Sequence, residues 1–376
     1  MFDDSMRIAY DYQIFVPQTY GGISRYFCRL ASSLQEFPGI IPKIIAPIHF
    51  NYYAQQLPCA LVSGKRIPRL RKCSPLILGL NYLIYKKRLR KFRPHIVHET
   101  YYSGREKLPI NAAKIVTVYD MVYERLFNPN LSLEDKTTRV KLTSLKSADH
   151  IICISESTRL DLLDFFDISA SKVSVVYLGF DRMEIHGDSP HRDLHHLTGD
   201  RPYILYVGAR NVYKNFHGLV KAYGDSSFLR SSLNLVAFGG GKFSWRERKL
   251  FRQAGLPSRS VTQITGDDSL LASLYSSATV FVYPSLYEGF GFPPLEAFSA
   301  GCPVACSSTS SIPEVVGKAA ALFDPNDVDD IANAITLLVC DTKERLRCIA
   351  DGHERTKMFT WDNCAQQTLE IYKKYV

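Results

Sequence analysis

The chain is expected to fold as α/β, in two successive domains built on parallel sheets. Three observations carry that expectation. Strand-like and helix-like stretches alternate along most of the sequence, as βαβ units do. The 376 residues exceed what one core usually holds, and at about 150 residues per domain they suggest two. A strand, a loop and a helix open the chain at Arg7 and recur after Pro202.

Composition narrows the class. Hydrophobic content of 46% and charged content of 22% are those of an ordinary globular protein. Met1 to Arg7 is polar and the apolar run behind it is short, so no signal peptide is expected. A long uncharged span, Ser269 to Tyr287, is broken by serines and Pro284 and makes a poor membrane-spanning helix. Nine Cys with no Cys-x-x-Cys pair fit free thiols in a reducing cytoplasm. The net charge of +9 is uneven: residues 1–183 hold 26 Lys and Arg against 16 Asp and Glu, and residues 184–376 hold 20 against 21. The first half is therefore expected to meet an anionic partner.

Taken in order, Arg7 to Tyr12 reads as a strand, followed by Gly21-Gly22 and an amphipathic helix, Ile23 to Phe37. That arrangement can bring backbone N–H groups to an anion, although the spacing is not Gly-x-Gly-x-x-Gly. Pro75 to Pro94 changes from an apolar block, in which Leu76, Leu80, Leu83 and Ile84 can share a helical stripe, to Lys86, Lys87, Arg88, Arg90, Lys91 and Arg93. Lys65, Arg66, Arg69, Arg71 and Lys72 lie just upstream. The bland account is a solvated helix; the sharper one is a patch on anionic lipid at the inner face of the cytoplasmic membrane. No stacking series or nucleic-acid motif accompanies the charges, so nucleic acid is not expected.

His95 to His98 and Lys114 to Tyr119 read as strands, which puts His98 and Asp120 at strand ends. Ala148 to Asp181 reads as strand, helix capped by Ser155, turn and strand. Met183 to Arg201 is polar and reads as a linker; His191, His195 and His196 in it lack the supporting partners a metal site needs. After Tyr203 to Gly208, a strand, the loop brings Arg210 and Lys214 to a helix entrance, where both cations suit a diphosphate. Asn234 to Phe238 ends in Gly239-Gly240-Gly241, expected to wall a nucleotide pocket, and Asp267 or Asp268 is expected to cap a helix. Phe281 and Val282 end a further strand. A turn with Gly289, Gly291, Pro293 and Pro294 then places Glu288 in a loop and Glu296 in the first turn of a helix. Two carboxylates and free amides at a sheet edge suit a polyhydroxylated ligand carrying phosphate.

Four stretches resemble one known family. EGFGFPPLEAFSAGCPV, YVGARNVYKN, YGGISRYF and the segment from Ala148 to Asp181 are similar to the motifs of retaining glycosyltransferases of family 4, and loosely to bacterial mannosyltransferases of surface-polysaccharide synthesis. The resemblance implies the GT-B fold: two Rossmann-like domains facing a cleft, with the last helix crossing back to the first domain. It implies an acceptor domain at 1–183, a linker at 184–201, a nucleotide-sugar domain at 202–355 and a crossover helix at 356–376. By the same resemblance, Glu296 would hold the donor ribose and Glu288 the donor sugar. Arg210, Lys214 and the Gly21-Gly22 amides would face the diphosphate, with Gly239, Gly240, Gly289, Phe290 and Gly291 lining the donor. His98 and Asp120, from their places at strand ends, and Tyr119 are candidates for the acceptor; relatives commonly read His-Asp where this chain reads Tyr119-Asp120, so by the resemblance only Asp120 carries over. Arg210, Lys214, Glu288 and Asp120 form the implied catalytic set.

The implied reaction moves a hexose, foremost mannose from GDP-mannose, to a hydroxyl of a glycan or lipid-pyrophosphate-linked acceptor. Neither cofactor nor metal is expected. The alternatives are a UDP-sugar donor, a nucleotide-sugar epimerase of the same fold, and a binding subunit without turnover.

Overall fold

The structure, a computed structural model, describes residues 5–68, 74–129, 131–132, 134–183, 194–257 and 260–376. His191, Arg69, Arg71 and Lys72 lie outside the described residues, as does the stretch 184–193 of the expected linker. The chain divides into two compact units: Met1–Gly179 with Thr360–Val376, and Phe180–Phe359.

Unit 1 holds a six-stranded parallel sheet. Its principal elements are β1 (Met6–Tyr10), α1 (Gly22–Gln35), β2 (Ile40–Ile44), α2 (Ser74–Phe92), β3 (Ile96–Glu99), β4 (Ala113–Val118), α3 (Lys136–Lys146), β5 (His150–Cys153), α4 (Glu156–Phe165) and β6 (Val173–Val175). The strands lie in the order β2-β1-β3-β4-β5-β6. Tyr10 pairs with Ile44 on one side and with His98 on the other. Such strands are covered on both faces, and IVHE and HIIC are buried throughout. Ser155 caps α4 as expected, accepting from the Thr158 amide at 3.1 Å.

Unit 2 repeats the plan with β7 (Tyr203–Val207), α5 (Phe216–Asp225), β8 (Asn234–Phe238), α6 (Trp245–Gln253), β9 (Val261–Ile264), α7 (Asp268–Ser277), β10 (Val280–Tyr283), α8 (Phe292–Ser299), β11 (Val304–Ser307), β12 (Ala321–Phe323), α9 (Val328–Cys340) and α10 (Thr342–Thr356). The order is β9-β8-β7-β10-β11-β12, the doubly wound arrangement. Its core joins Tyr206, Phe216, Leu219, Tyr223, Val282 and Ile335. Of the two aspartates expected at a cap, Asp267 takes it, accepting from the Leu270 amide at 2.9 Å.

A last helix, α11 (Trp361–Tyr372), packs in unit 1 against α1. Gly179 allows the chain to pass closely there: a Cβ at this position would sit 2.5 Å from the Trp361 amide nitrogen. The polar end of α11 is tied down as well, with the Tyr372 hydroxyl 2.6 Å from His98 Nδ1.

Among the described residues no helix is long and apolar enough to cross a membrane. The eight described cysteines are free thiols. The expected apolar stripe of α2 is present but faces outward: Leu76, Leu80 and Leu83 are exposed. The helix instead buries Asn81, Tyr85 and Leu89, with Asn81 satisfied by the backbone N–H and C=O of Ile48, each at 2.8 Å.

Candidate functional site

In unit 2, β7 has β8 on one side and β10 on the other, so the winding reverses between β7 and β10. Open α/β sheets bind ligands outside the carboxyl ends of the strands at such a reversal. The loop leaving β7 carries Arg210 and Lys214, and the loop leaving β10 carries Glu288. The two loops are joined directly, because the Leu286 amide donates to the Tyr213 carbonyl at 2.7 Å. That bond holds both loops in one register.

Lys214 closes a short 3-10 turn, Val212–Lys214, immediately before α5. Asn215 then adopts a left-handed conformation, φ 50°, which Asn tolerates better than most residues. Its side chain caps α5 by accepting from the Gly218 amide at 3.2 Å, and donates to the Pro325 carbonyl at 2.7 Å. Lys214 Nζ reaches Glu288 Oε1 at 2.6 Å. Glu288 is buried and its backbone is fixed from two sides: its amide donates to Ser310 Oγ at 2.9 Å, and Ser311 Oγ donates to its carbonyl at 2.9 Å. Burial, with Glu288 beside it, pushes the neighbouring Tyr283 phenol well up. A cation and a carboxylate therefore meet at the switch point, just outside a helix start.

Arg210 lies in the same loop as Lys214 and reaches the glycine loop that follows β8. Its guanidinium donates to the carbonyls of Gly239 and Gly241, each at 2.8 Å, and its Nε donates to Glu247 of α6. All three nitrogens are engaged inside the unit, which ties the loop leaving β7 to the glycine loop. That loop needs its glycines: Gly239, Gly240 and Gly241 all have positive φ, and a Cβ on Gly240 would lie 2.5 Å from Arg210 Nη1.

Gly291, at φ 115°, opens α8, with Pro293 and Pro294 following in the helix. Glu296 falls just past the first helical turn, which contains no acidic residue, a correction to the expected placement. Tyr275 of α7 donates to Glu296 Oε2 at 3.4 Å. Phe290 is buried against Phe292 and Phe359, and so packs the loop that also carries Gly289.

In unit 1, Gly21 precedes α1 and Gly22 is its first residue. The Gln18 side chain already accepts from the Ser24 amide at 3.1 Å, which occupies one of the helix-start donors. At the carboxyl ends of β3 and β4 lies a cavity of about 430 Å³ lined by Tyr101, Tyr102, Tyr119, Asp120, Tyr123 and Glu124, among others. Asp120 accepts from the Val122 amide at 3.2 Å, while the Tyr119 hydroxyl donates to the Thr100 carbonyl at 3.0 Å. Beneath them Lys141 of α3 pairs with Glu124 at 2.9 Å, both side chains buried. Glu124 Oε1 has no hydrogen-bond partner.

His98 is not in that cavity. It is fully buried, Nδ1 on Tyr372 and Nε2 on Thr117 Oγ1 at 2.7 Å, which leaves neither ring nitrogen for an acceptor. Burial pushes its imidazole down to about 3, so it folds neutral. A depressed folded value means that its contribution is complete above the unfolded value, near pH 6.5, and is lost as pH falls toward the folded one. From this residue we expect stability to fall by about 1.4 kcal/mol per pH unit below that point. The measurement is urea unfolding at several pH values, with His98→Gln lacking this part of the slope; parallel slopes for both proteins would contradict it.

Glu124, Glu247, Tyr275 and the Ser310-Ser311 pair were not singled out by the sequence as parts of a site. Glu124 follows Asp120 by four positions, a helical spacing that could have drawn attention to it. Glu247 belongs to a recognisable capping box with Ser244, which hides its second partner, Arg210. Among the described residues no group of three or more His, Cys, Asp or Glu could hold a metal ion.

The sheet orders and the doubled plan are those of the GT-B fold. The family comparisons agree by halves: residues 20–183 match Glycosyltransferase Family 4, and residues 190–355 match Glycosyl transferases group 1. An O-antigen chain mannosyltransferase B from Escherichia coli is 31% identical over 82% of this chain and 83% of its own. Sucrose-phosphate synthase from Thermosynechococcus elongatus superimposes with a TM-score of 0.76 at 22% identity, covering 98% of each chain. Anabaena Alr3699/HepE in complex with UDP-glucose gives 0.74 at 16%, covering 98% of this chain and all of the other. The chain belongs to the family 4 glycosyltransferases.

Proposed function

We propose that this glycosyltransferase moves a hexose, foremost mannose from GDP-mannose, to a hydroxyl of a glycan or lipid-linked acceptor, with retained anomeric configuration. The observation that carries the reading is the Lys214–Glu288 pair at the β7/β10 switch point. Lys214 meets the donor diphosphate and Glu288 takes sugar hydroxyls, exchanging their mutual contact for contacts with the donor. Arg210 acts at one remove, by holding the Gly239–Gly241 loop that walls the nucleotide. Glu296, steadied by Tyr275, accepts from the ribose.

In the reaction the bond from the anomeric carbon to the phosphate oxygen breaks, and a bond from that carbon to the acceptor oxygen forms. The acceptor proton passes to the departing phosphate on the same face. Preorganised positive charge from Lys214 and the helix-start amides stabilises the charge that develops there. The tyrosine-lined cavity of unit 1 suits an acceptor sugar: ring faces for its apolar side and Asp120 for its hydroxyls.

Mannose is favoured by the E. coli relative, and a uridine donor is the second reading, favoured by the fold shared with a UDP-glucose complex. A thermal-shift panel of GDP-, UDP-, ADP- and dTDP-sugars, with and without EDTA, separates them. Ligand at about 100 times its Kd stabilises the folded state by about 2.7 kcal/mol. We expect one GDP-sugar to stand out and EDTA to leave the shift unchanged. No shift from any donor would overturn the reading in favour of a scaffold role that binds no sugar nucleotide. Release of free nucleotide or an epimer without acceptor would favour an epimerase.

A further inference from the structure

The segment from Phe37 to His98 contains twelve Lys and Arg and no Asp or Glu. Within it, α2 turns an unusual face to solvent. At 3.6 residues per turn, Leu76, Leu80, Leu83, Lys87 and Arg90 fall on one side of the helix. The three leucines are exposed by 79%, 48% and 62%. The amino-terminal half of this face is therefore apolar and the carboxyl-terminal half cationic.

The opposite side explains why the helix is held there at all. Asn81, Tyr85 and Leu89 are buried, and Arg88 donates to the Ser63 carbonyl at 2.7 Å. Beside this contact runs a groove of about 680 Å³ lined by Lys43, Lys65, Arg88 and Lys91, with no acidic residue in its lining. Lys91 is exposed and adjoins both the groove and the outward face. Gly64 shapes the groove floor, since a Cβ there would collide with the Ala46 carbonyl at 1.7 Å.

We propose that the outward face of α2 and the adjoining groove dock this chain on an anionic phospholipid surface. The leucines enter the boundary between headgroups and acyl chains. Lys87, Arg90 and Lys91 meet the negative surface, and the groove takes a headgroup phosphate. Buried apolar area and attraction to anionic headgroups add to each other in interfacial binding, and this face offers both. A polyanion such as nucleic acid would engage the cations and leave the leucines in water. The proposal stands independently of the donor and the reaction.

The test is sedimentation of the intact chain with phosphatidylcholine vesicles and with vesicles containing phosphatidylglycerol, at low and high salt. We expect recovery with the anionic vesicles only, weakened by salt, and a loss of about five-fold in partitioning for each of K87Q, R90Q and K91Q. Leu80→Ser with Leu83→Ser should lose at least as much; both residues are exposed, so the circular dichroism melting curve should stay in place. Equal recovery with neutral and anionic vesicles would overturn the proposal. Loss on the cation substitutions with the leucine pair silent would overturn it too, and would point to a general polyanion site.

Discussion

Lys214→Ala is expected to lower turnover by about two orders of magnitude or more, the scale seen when one preorganised charge-stabilising donor is removed. The lysine lies just ahead of α5, where the Asn215 cap fixes the backbone, and its ammonium is 2.6 Å from Glu288. In the proposed reaction, truncation removes the positive charge from the position where the departing diphosphate gathers negative charge, and leaves Glu288 without its cation. Both changes disfavour an anionic donor. Lys214→Arg should restore only part of the rate, because a planar fork replaces a compact charge in a site shaped by Tyr213 and Tyr283. The check is kcat on a folded variant with donor in excess. Turnover near that of the parent would remove Lys214 from the mechanism.

Lys141→Met is expected to cost about 3–5 kcal/mol of unfolding free energy. Lys141 and Glu124 form a pair in which neither side chain is more than slightly exposed. The ammonium also donates to the Asp120 carbonyl at 2.9 Å, so truncation strips a partner from the carbonyl as well as from the carboxylate. Replacing one member leaves a buried carboxylate uncompensated, whereas replacing both removes the charge altogether. Lys141→Met combined with Glu124→Leu should therefore recover most of the loss. Urea unfolding of the two variants decides it: a single variant as stable as the parent, or a double variant no better than the single, would be inconsistent with the pair acting as a unit.

Much of the architecture was legible because strands buried on both faces leave long apolar runs, and YILYV or HIIC can hardly be anything else. The loop chemistry was legible where backbone and side chain make the same demand, as at Ser155 and Asp267, whose caps follow from local spacing alone. What was not legible depends on contacts far apart in the chain. Arg210 looks like a free cation until the carbonyls of Gly239 and Gly241 are brought to it. His98 looks like a cleft residue until Tyr372 arrives from α11 and Thr117 from β4. Glu124 looks like an ordinary surface acid until Lys141 is laid over it. The leucines of α2 had a period but no address, since periodicity groups residues on one face without saying what that face meets.

The link between His98 and Tyr372 spans 274 residues. A ribosome adding roughly 5–20 residues per second would need on the order of 15–55 s to cover that distance. Throughout that interval β3 is made but the helix that satisfies its histidine is not, while the whole of 180–359 emerges and can condense on its own. The half that is synthesised first is thus the half that is finished last.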